Sequence, residues 1–194
     1  MKEEYSFLKQ YKNKKLLSIQ TVPHWPAGSN HVSDEVVLSF SGNSQLVVNS
    51  RYDVVDMFFT EDEDVVFSIR EEKSYEAFSN IAELQMSTIL VDEYPKNISI
   101  VYDEVSFSDK SISDKTIQYP LALYVETESR TIGIWRDVQN ATWLNSNYNN
   151  ASIKQLFPIE EQWGDFENVP HFTVIRKSLN QFTGESFIVE NKTF

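Results

Sequence analysis

Residues 35–49 read EVVLSFSGNSQLVVN, and this stretch decides the fold class. Apolar and β-branched residues dominate 35–40 and 45–49, and the residues between them, SGNS, are small and polar. Two β-prone runs joined by a short turn that contains glycine predict a β-hairpin. Short apolar runs and polar turns continue in both directions, which indicates a chain built mostly of antiparallel strands.

A second hairpin is predicted further along the chain. Residues 117–125 form a β-prone run, 126–130 are polar, and 131–135 return. Pro120 predicts an edge strand or a bulge, because proline cannot donate to a strand ladder. Other apolar runs predict strands at 16–22, 54–59, 65–69, 98–107 with a bulge at 103–104, 172–175 and 187–189, while 86–91 is either a strand or the end of a helix.

Helical signals are short and few. Apolar residues at helical spacing predict helices over 3–12 and 75–84. Ser152 is a candidate N-cap for one short helical stretch, and Pro158 starts another that runs through Trp163. The asparagine-rich residues 140–150 predict a long loop.

These elements together predict a β-rich α+β fold. We expect mostly antiparallel sheet built from hairpins, with two or three short helices on one face. The length of 194 residues suits a single domain over 1–194. The alternative is two β-rich halves divided near 108–116, where the chain is polar and lacks apolar anchors.

The amino-acid composition excludes several classes of function. The chain has no cysteine, which excludes disulfides, thiolate metal sites and a cysteine nucleophile. The charged start without an apolar segment, together with the lack of cysteine, predicts a cytoplasmic protein, and no apolar run is long enough for a membrane span. With 17 Lys and Arg against 29 Asp and Glu, the net charge is −12, which disfavours nucleic acid. By itself this charge is explained by solubility, and the alternative explanation is a partner with a basic surface.

Residues that carry chemistry are sparse. His24, His31 and His171 show no metal-ligand spacing, and the five glycines form no phosphate-binding loop. No catalytic residue, metal ligand or cofactor is therefore predicted, and a protein without catalysis is favoured. One alternative is a small-molecule hydrolase whose site joins distant carboxylates to these histidines. Another is a structural or scaffold module that dimerises through an edge strand.

Part of the chain resembles a known class of proteins. The stretches 16–22, 28–31, 34–40 and 45–54 follow the order strand, loop, apolar hairpin and returning strand. This order is similar to that of small bacterial immunity-type proteins encoded beside polymorphic toxins. The resemblance covers about 40 residues and carries no catalytic motif. It implies a cytoplasmic binder that blocks a toxin, and a basic toxin would suit the acidic charge.

The expected partner-binding residues follow from this reasoning. Crowded acids offer the charge that a basic partner needs, and a tryptophan held between two prolines offers an apolar anchor. The acids 61–64 are consecutive, which predicts a solvated turn rather than a calcium site. The expected surface comprises Asp53, Asp56, Glu61, Asp62, Glu63 and Asp64, with Asp103, Glu104 and Trp25 as secondary members.

Overall fold

A computed structural model describes residues 3–23, 31–57, 60–73, 87–107, 116–137, 144–164 and 171–194, with 22–23, 31–34, 51–57 and 60–65 described by their backbone alone. Eleven strands lie in these ranges. They are β1 (Leu16–Pro23), β2 (His31–Phe40), β3 (Ser44–Met57), β4 (Thr60–Glu72), β5 (Ser87–Glu93), β6 (Asn97–Phe107), β7 (Thr116–Glu126), β8 (Thr131–Arg136), β9 (Leu144–Asn147), β10 (Phe172–Asn180) and β11 (Ser186–Thr193).

Helical structure in the described ranges is limited to three short pieces. A 3₁₀ helix spans Ser6–Asn13, a 3₁₀ turn spans Ile153–Gln155, and α1 spans Ile159–Trp163. Ser152 caps the 3₁₀ turn, since its side chain accepts from the Lys154 N–H and Gln155 reaches back to the Ser152 N–H.

The strands form two antiparallel sheets, which the pairing of β2 with β9 joins into one continuous hydrogen-bonded network. Sheet I has the order β5-β1-β2-β3-β4, and sheet II has the order β11-β10-β6-β7-β8-β9. They meet because one edge of β2 is divided between two neighbours. Residues 31–33 of β2 pair with β9, while residues 35–40 pair with β3.

The main core lies where apolar faces of the two sheets pack together. Alternation along each strand points one set of side chains inward, which buries aliphatic residues at or near zero exposure. The N-terminal 3₁₀ helix adds Leu8 and Tyr11 to this core. Its principal members are Leu16, Ile19, Val36, Leu38, Phe40, Leu46 and Val48 of sheet I, and Ile98, Ile100, Leu123, Val125, Ile132 and Ile134 of sheet II.

A second core covers the opposite face of sheet II. The segment 151–163 lies over this face, and its Trp163 and Ile159 are fully buried. Trp163 packs edge-on against the ring of Tyr119 with centroids 5.8 Å apart. Sheet II is therefore the middle layer, with sheet I on one side and the 151–163 segment on the other.

Most strand predictions are confirmed, including both hairpins. The β-rich antiparallel class is confirmed as well, although the one five-residue α-helix in the described ranges is less helix than the name α+β implies. The segment predicted as an N-terminal helix is a 3₁₀ helix. The predicted helix over 75–84 and most of the proposed boundary at 108–116 lie outside the described residues.

Three local predictions are wrong, and one open alternative is decided by the structure. The acids 61–64 lie within β4 rather than in a turn, and 140–150 contains β9. The irregularity in β6 falls between Val101 and Tyr102, not at 103–104. Pro120 lies beside it in β7, where Leu121 is the extra residue, so the predicted bulge is confirmed. At Pro120 itself β7 pairs with β6, while its ladder with β8 covers only 122–126.

Candidate functional site

The six acids expected to bind a partner all fall on one hairpin. The ladder between β2 and β3 ends at the pair Glu35 and Asn49, and from residue 50 onward β3 pairs only with β4 in the described part of the chain. We call residues 50–57 and 60–67 the acidic arm. It contains six acids and one arginine, a net charge of −5 out of −12 for the whole chain.

The register of the acidic arm opposes like charges. Asp53 lies directly opposite Asp64, and Asp56 lies directly opposite Glu61. Directly opposite residues in an antiparallel pair lie about 5 Å apart, and like charges there destabilise the ladder. No third strand pairs with the arm among the described residues, and a two-stranded hairpin is marginally stable by itself. The charges that this register places opposite one another therefore do not stabilise the hairpin.

Asp103 has a different environment from the six acids of the arm. It is fully buried on the second-core face of β6, opposite Arg176 of β10. The Arg176 Nε donates to Asp103 Oδ1 at 2.7 Å and Nη2 donates to Oδ2 at 2.9 Å, while the Trp163 indole N–H donates to Oδ2 at 2.8 Å. The prediction that Asp103 belongs to a partner surface is wrong, because its carboxylate is enclosed by three donors.

Glu104 points to the other face of β6. It forms an ion pair with Lys177 at 2.6 Å, and both side chains are a little over one-fifth exposed. This location leaves Glu104 as a surface residue, but on sheet II, whereas the acidic arm belongs to sheet I. Trp25 lies outside the described residues.

The histidines do not converge within the described residues. His171 is exposed, and its Nδ1 lies 3.2 Å from the Phe194 carbonyl oxygen. His31 belongs to β2, and four strands of sheet II separate β2 from β10, the strand that follows His171. At a strand spacing of about 4.8 Å the two histidines lie roughly 24 Å apart along the sheet. His24 lies outside the described residues.

A cleft opens on the second-core face of sheet II and was not anticipated from the sequence. It has a volume of about 630 Å³. Strands β6, β7 and β10 supply its floor, the segment 151–154 forms one wall, and β11 forms the other. We call this the sheet II cleft. Its lining residues include Asn97, Ser99, Tyr124, Ile153, Ser178 and Phe187.

The cleft joins residues that no local motif connects. Asn97 and Ser99 belong to β6, Ser178 to β10 and Phe187 to β11. They meet only because β10 pairs with both β6 and β11. Period-two alternation places Asn97 and Ser99 on the same face as Val101, but the sequence does not show which residues cover that face.

The described residues contain no group of three or more His, Asp or Glu arranged to hold a metal ion. Within the same ranges, no helix has both the length and the apolar character needed to cross a membrane. No family model, curated protein or solved structure matches this chain.

Proposed function

We propose that this protein is a non-catalytic interaction protein that binds the basic surface of another protein through the acidic arm. The observation that carries the proposal is the register that sets Asp53 against Asp64 and Asp56 against Glu61. Such pairs weaken an isolated hairpin. A cationic partner would offset this repulsion, and the summed charge would steer association.

The finer form of the proposal is an immunity-type inhibitor that acts on a basic toxin in the cytoplasm. The partial resemblance over 16–54 supports it, as does a chain without cysteine. The hydrolase alternative receives less support, because His31 lies on β2, His171 directly precedes β10, and four strands separate β2 from β10.

The test compares two variants of equal charge. In the arm variant, all six acids of the arm become Asn or Gln. In the control variant, six exposed acids elsewhere become Gln: Glu3, Glu4, Glu128, Glu160, Glu161 and Glu185. The wild type and the two variants are each immobilised and incubated with an extract of the source organism. The proteins that they retain are identified, purified and titrated by calorimetry against the wild type and both variants.

We expect a basic protein that binds the wild type and the control variant at one-to-one stoichiometry and fails to bind the arm variant. If the two variants lose binding equally, the interaction reflects net charge rather than the arm, and the proposal is wrong. The proposal is also wrong if no purified protein binds the wild type.

A further inference from the structure

The solvent-facing side of β5 carries an exposed apolar cluster. Leu90 lies in the outermost strand of sheet I and is 77% exposed, and its register partner on β1 is Ser18, the neighbour of Leu17, which is 40% exposed. Tyr94 directly follows β5 and is 59% exposed. In the described part of the chain, no other large apolar side chain is as exposed as Leu90. Apolar side chains gathered at one edge of a sheet indicate an interaction surface.

The backbone of β5 also has a free edge. Within the described ranges, β4, β5 and β11 each pair with a single strand, so each presents N–H and C=O groups that can pair with another chain. β4 contains the consecutive acids 61–64, and β11 contains Lys192 and a register shift near Val189. Charged residues and bulges discourage pairing at an edge. Residues 87–91 of β5 read STILV and carry no charge, so of these three edges β5 is the one best suited to accept another strand.

Two copies of β5 are complementary to each other in antiparallel pairing. The register shift of β5 comes after Leu90, so we consider the segment 87–91 with a two-fold axis at its midpoint, Ile89. Ile89 then lies opposite its own copy, and Thr88 lies opposite Leu90. Because no charged residue is involved, no like charges are opposed. Ile89 packs against the main core, so this pairing continues that core across the axis.

The charge distribution favours this edge for a second copy. Each chain has a net charge of −12, and −5 of it lies on the acidic arm, at the opposite edge of sheet I from β5. When two five-stranded sheets join through β5, nine strand spacings of about 4.8 Å place the two β4 strands about 43 Å apart along the sheet. This distance is several times the screening length of about 8 Å in physiological salt. The acids that follow the paired segment have cations of their own, since Asp92 pairs with Lys15 at 2.8 Å and Glu93 pairs with Arg130 at 3.5 Å.

We propose that two copies of this chain form a two-fold symmetric dimer in which β5 of one copy pairs antiparallel with β5 of the other. The pairing satisfies the free N–H and C=O groups of both strands and removes part of Leu90 from water. A segment of five residues makes a small interface, so the dimer is reversible and depends on protein concentration. The acidic arms stay free at both ends of the dimer, which therefore neither requires nor blocks the partner proposed for the arm.

The experiment measures sedimentation velocity of the full chain from low micromolar to near-millimolar concentration. Leu90→Lys alters the proposed interface, and Ile188→Lys is the matched control, because Ile188 is an exposed apolar residue on the other edge strand, β11. A second measurement uses the absence of native cysteine. Ile89→Cys and Ile188→Cys are each oxidised in solution, and covalent dimers are counted on a non-reducing gel.

We expect the wild type to pass from monomer to dimer as its concentration rises, and Leu90→Lys to weaken the dimer at least about 10-fold, because two added cations lie near the axis. Ile188→Lys stays within about twofold of the wild type. Ile89→Cys forms a covalent dimer in high yield, whereas the more exposed Ile188→Cys does not.

Three results would overturn the proposal. The first is a wild type that stays monomeric at every concentration, whether or not a foreign peptide occupies the β5 edge. The second is a dimer that Leu90→Lys and Ile188→Lys weaken equally or not at all. The third is a higher yield of covalent dimer from Ile188→Cys than from Ile89→Cys, which would assign the contact to β11.

Discussion

At the scale of single residues, two neighbouring acids on β6 have opposite environments. Asp103 is fully buried with Arg176, and Glu104 is partly exposed with Lys177. The difference follows from strand geometry, because consecutive residues point to opposite faces of sheet II. Trp163 covers the Asp103 carboxylate, while Glu104, on the same face of β6 as the main-core residues Ile98 and Ile100, keeps 23% of its side-chain surface exposed.

The buried pair yields a prediction with an internal control. Arg176→Met leaves the Asp103 carboxylate buried without its counter-charge, and we expect a loss of about 3–5 kcal/mol in the free energy of unfolding. Lys177→Met removes the partner of Glu104 on the opposite face and costs about 0–1 kcal/mol. Urea denaturation measures both. Equal losses for the two variants would contradict the assignment of Asp103 and Arg176 as the structural pair.

Glu93 gives a prediction about pH. The Ser129 hydroxyl donates to Glu93 Oε1 at 2.5 Å and the Ser129 N–H donates to Oε2 at 2.9 Å, and these bonds lower the pKa of Glu93 from 4.5 to about 2. Because the folded-state pKa is depressed, the stabilisation is present above about pH 4.5 and is lost as pH falls towards 2.

The stability difference between wild type and Glu93→Gln should therefore shrink as pH falls from 5 to 2. Ser129→Ala removes one of the two donors and should reduce the same pH-dependent difference in part. Thermal unfolding across this pH range measures the effect. A difference that stays constant with pH would contradict the role given to the Ser129 bonds.

At the scale of elements, β8 contacts the cleft wall through a glycine. A Cβ on Gly133 would lie 2.6 Å from the Ala151 Cβ and 2.8 Å from Tyr124 Cε1, closer than carbon atoms approach. We expect Gly133→Ala to lower the free energy of unfolding by about 1–3 kcal/mol. Gly133→Ala with Ala151→Gly removes the nearer clash and should recover part of the loss. If chemical denaturation shows no recovery in the double variant, the loss of stability does not come from the contact with Ala151.

The acidic arm predicts a gain in stability on neutralisation. Asp64→Asn removes the repulsion with Asp53 and should raise the free energy of unfolding by about 0.2–1 kcal/mol at low salt, with the gain shrinking as salt screens the charges. Glu3→Gln is the control, because Glu3 is exposed and lies outside the acidic arm. Thermal unfolding at low and high salt distinguishes them. A stability loss for Asp64→Asn would show that the arm does not carry opposed charges.

Elements with a local signal were predictable from the sequence. Residues 35–49 and 117–135 carry alternation and a polar turn within a short span, and both are hairpins. The acids 61–64 were misassigned because Asp and Glu are depleted in strands. Their strand structure depends on pairing with 53–56, which composition does not reveal.

Sites that depend on pairing between strands far apart in the chain could not be predicted from the sequence. Asp103 and Arg176 are 73 residues apart and meet through the β6–β10 register. A partial signal existed, since Asp103 alternates with Val101 and Val105 on an apolar face. The sheet II cleft gave no signal, because Asn97 and Ser178 are ordinary polar residues until the 151–154 segment encloses them.

At the scale of the whole molecule, the acidic arm and the cleft lie on different sheets. Sheet II lies between the main core and the 151–163 segment and carries the sheet II cleft on its second-core face. Sheet I carries the acidic arm, with a net charge of −5 in a chain of −12. A partner attracted to the acidic arm should therefore bind by electrostatic steering, with an association rate sensitive to salt.

The most direct test of the acidic arm as a partner site is the association rate of the captured basic protein, measured by stopped flow between 20 and 500 mM salt for the wild type and the arm variant. We expect the wild-type rate to fall at least about 10-fold over this range, while any residual rate of the arm variant changes far less. Equal salt dependence in the two proteins would contradict the account.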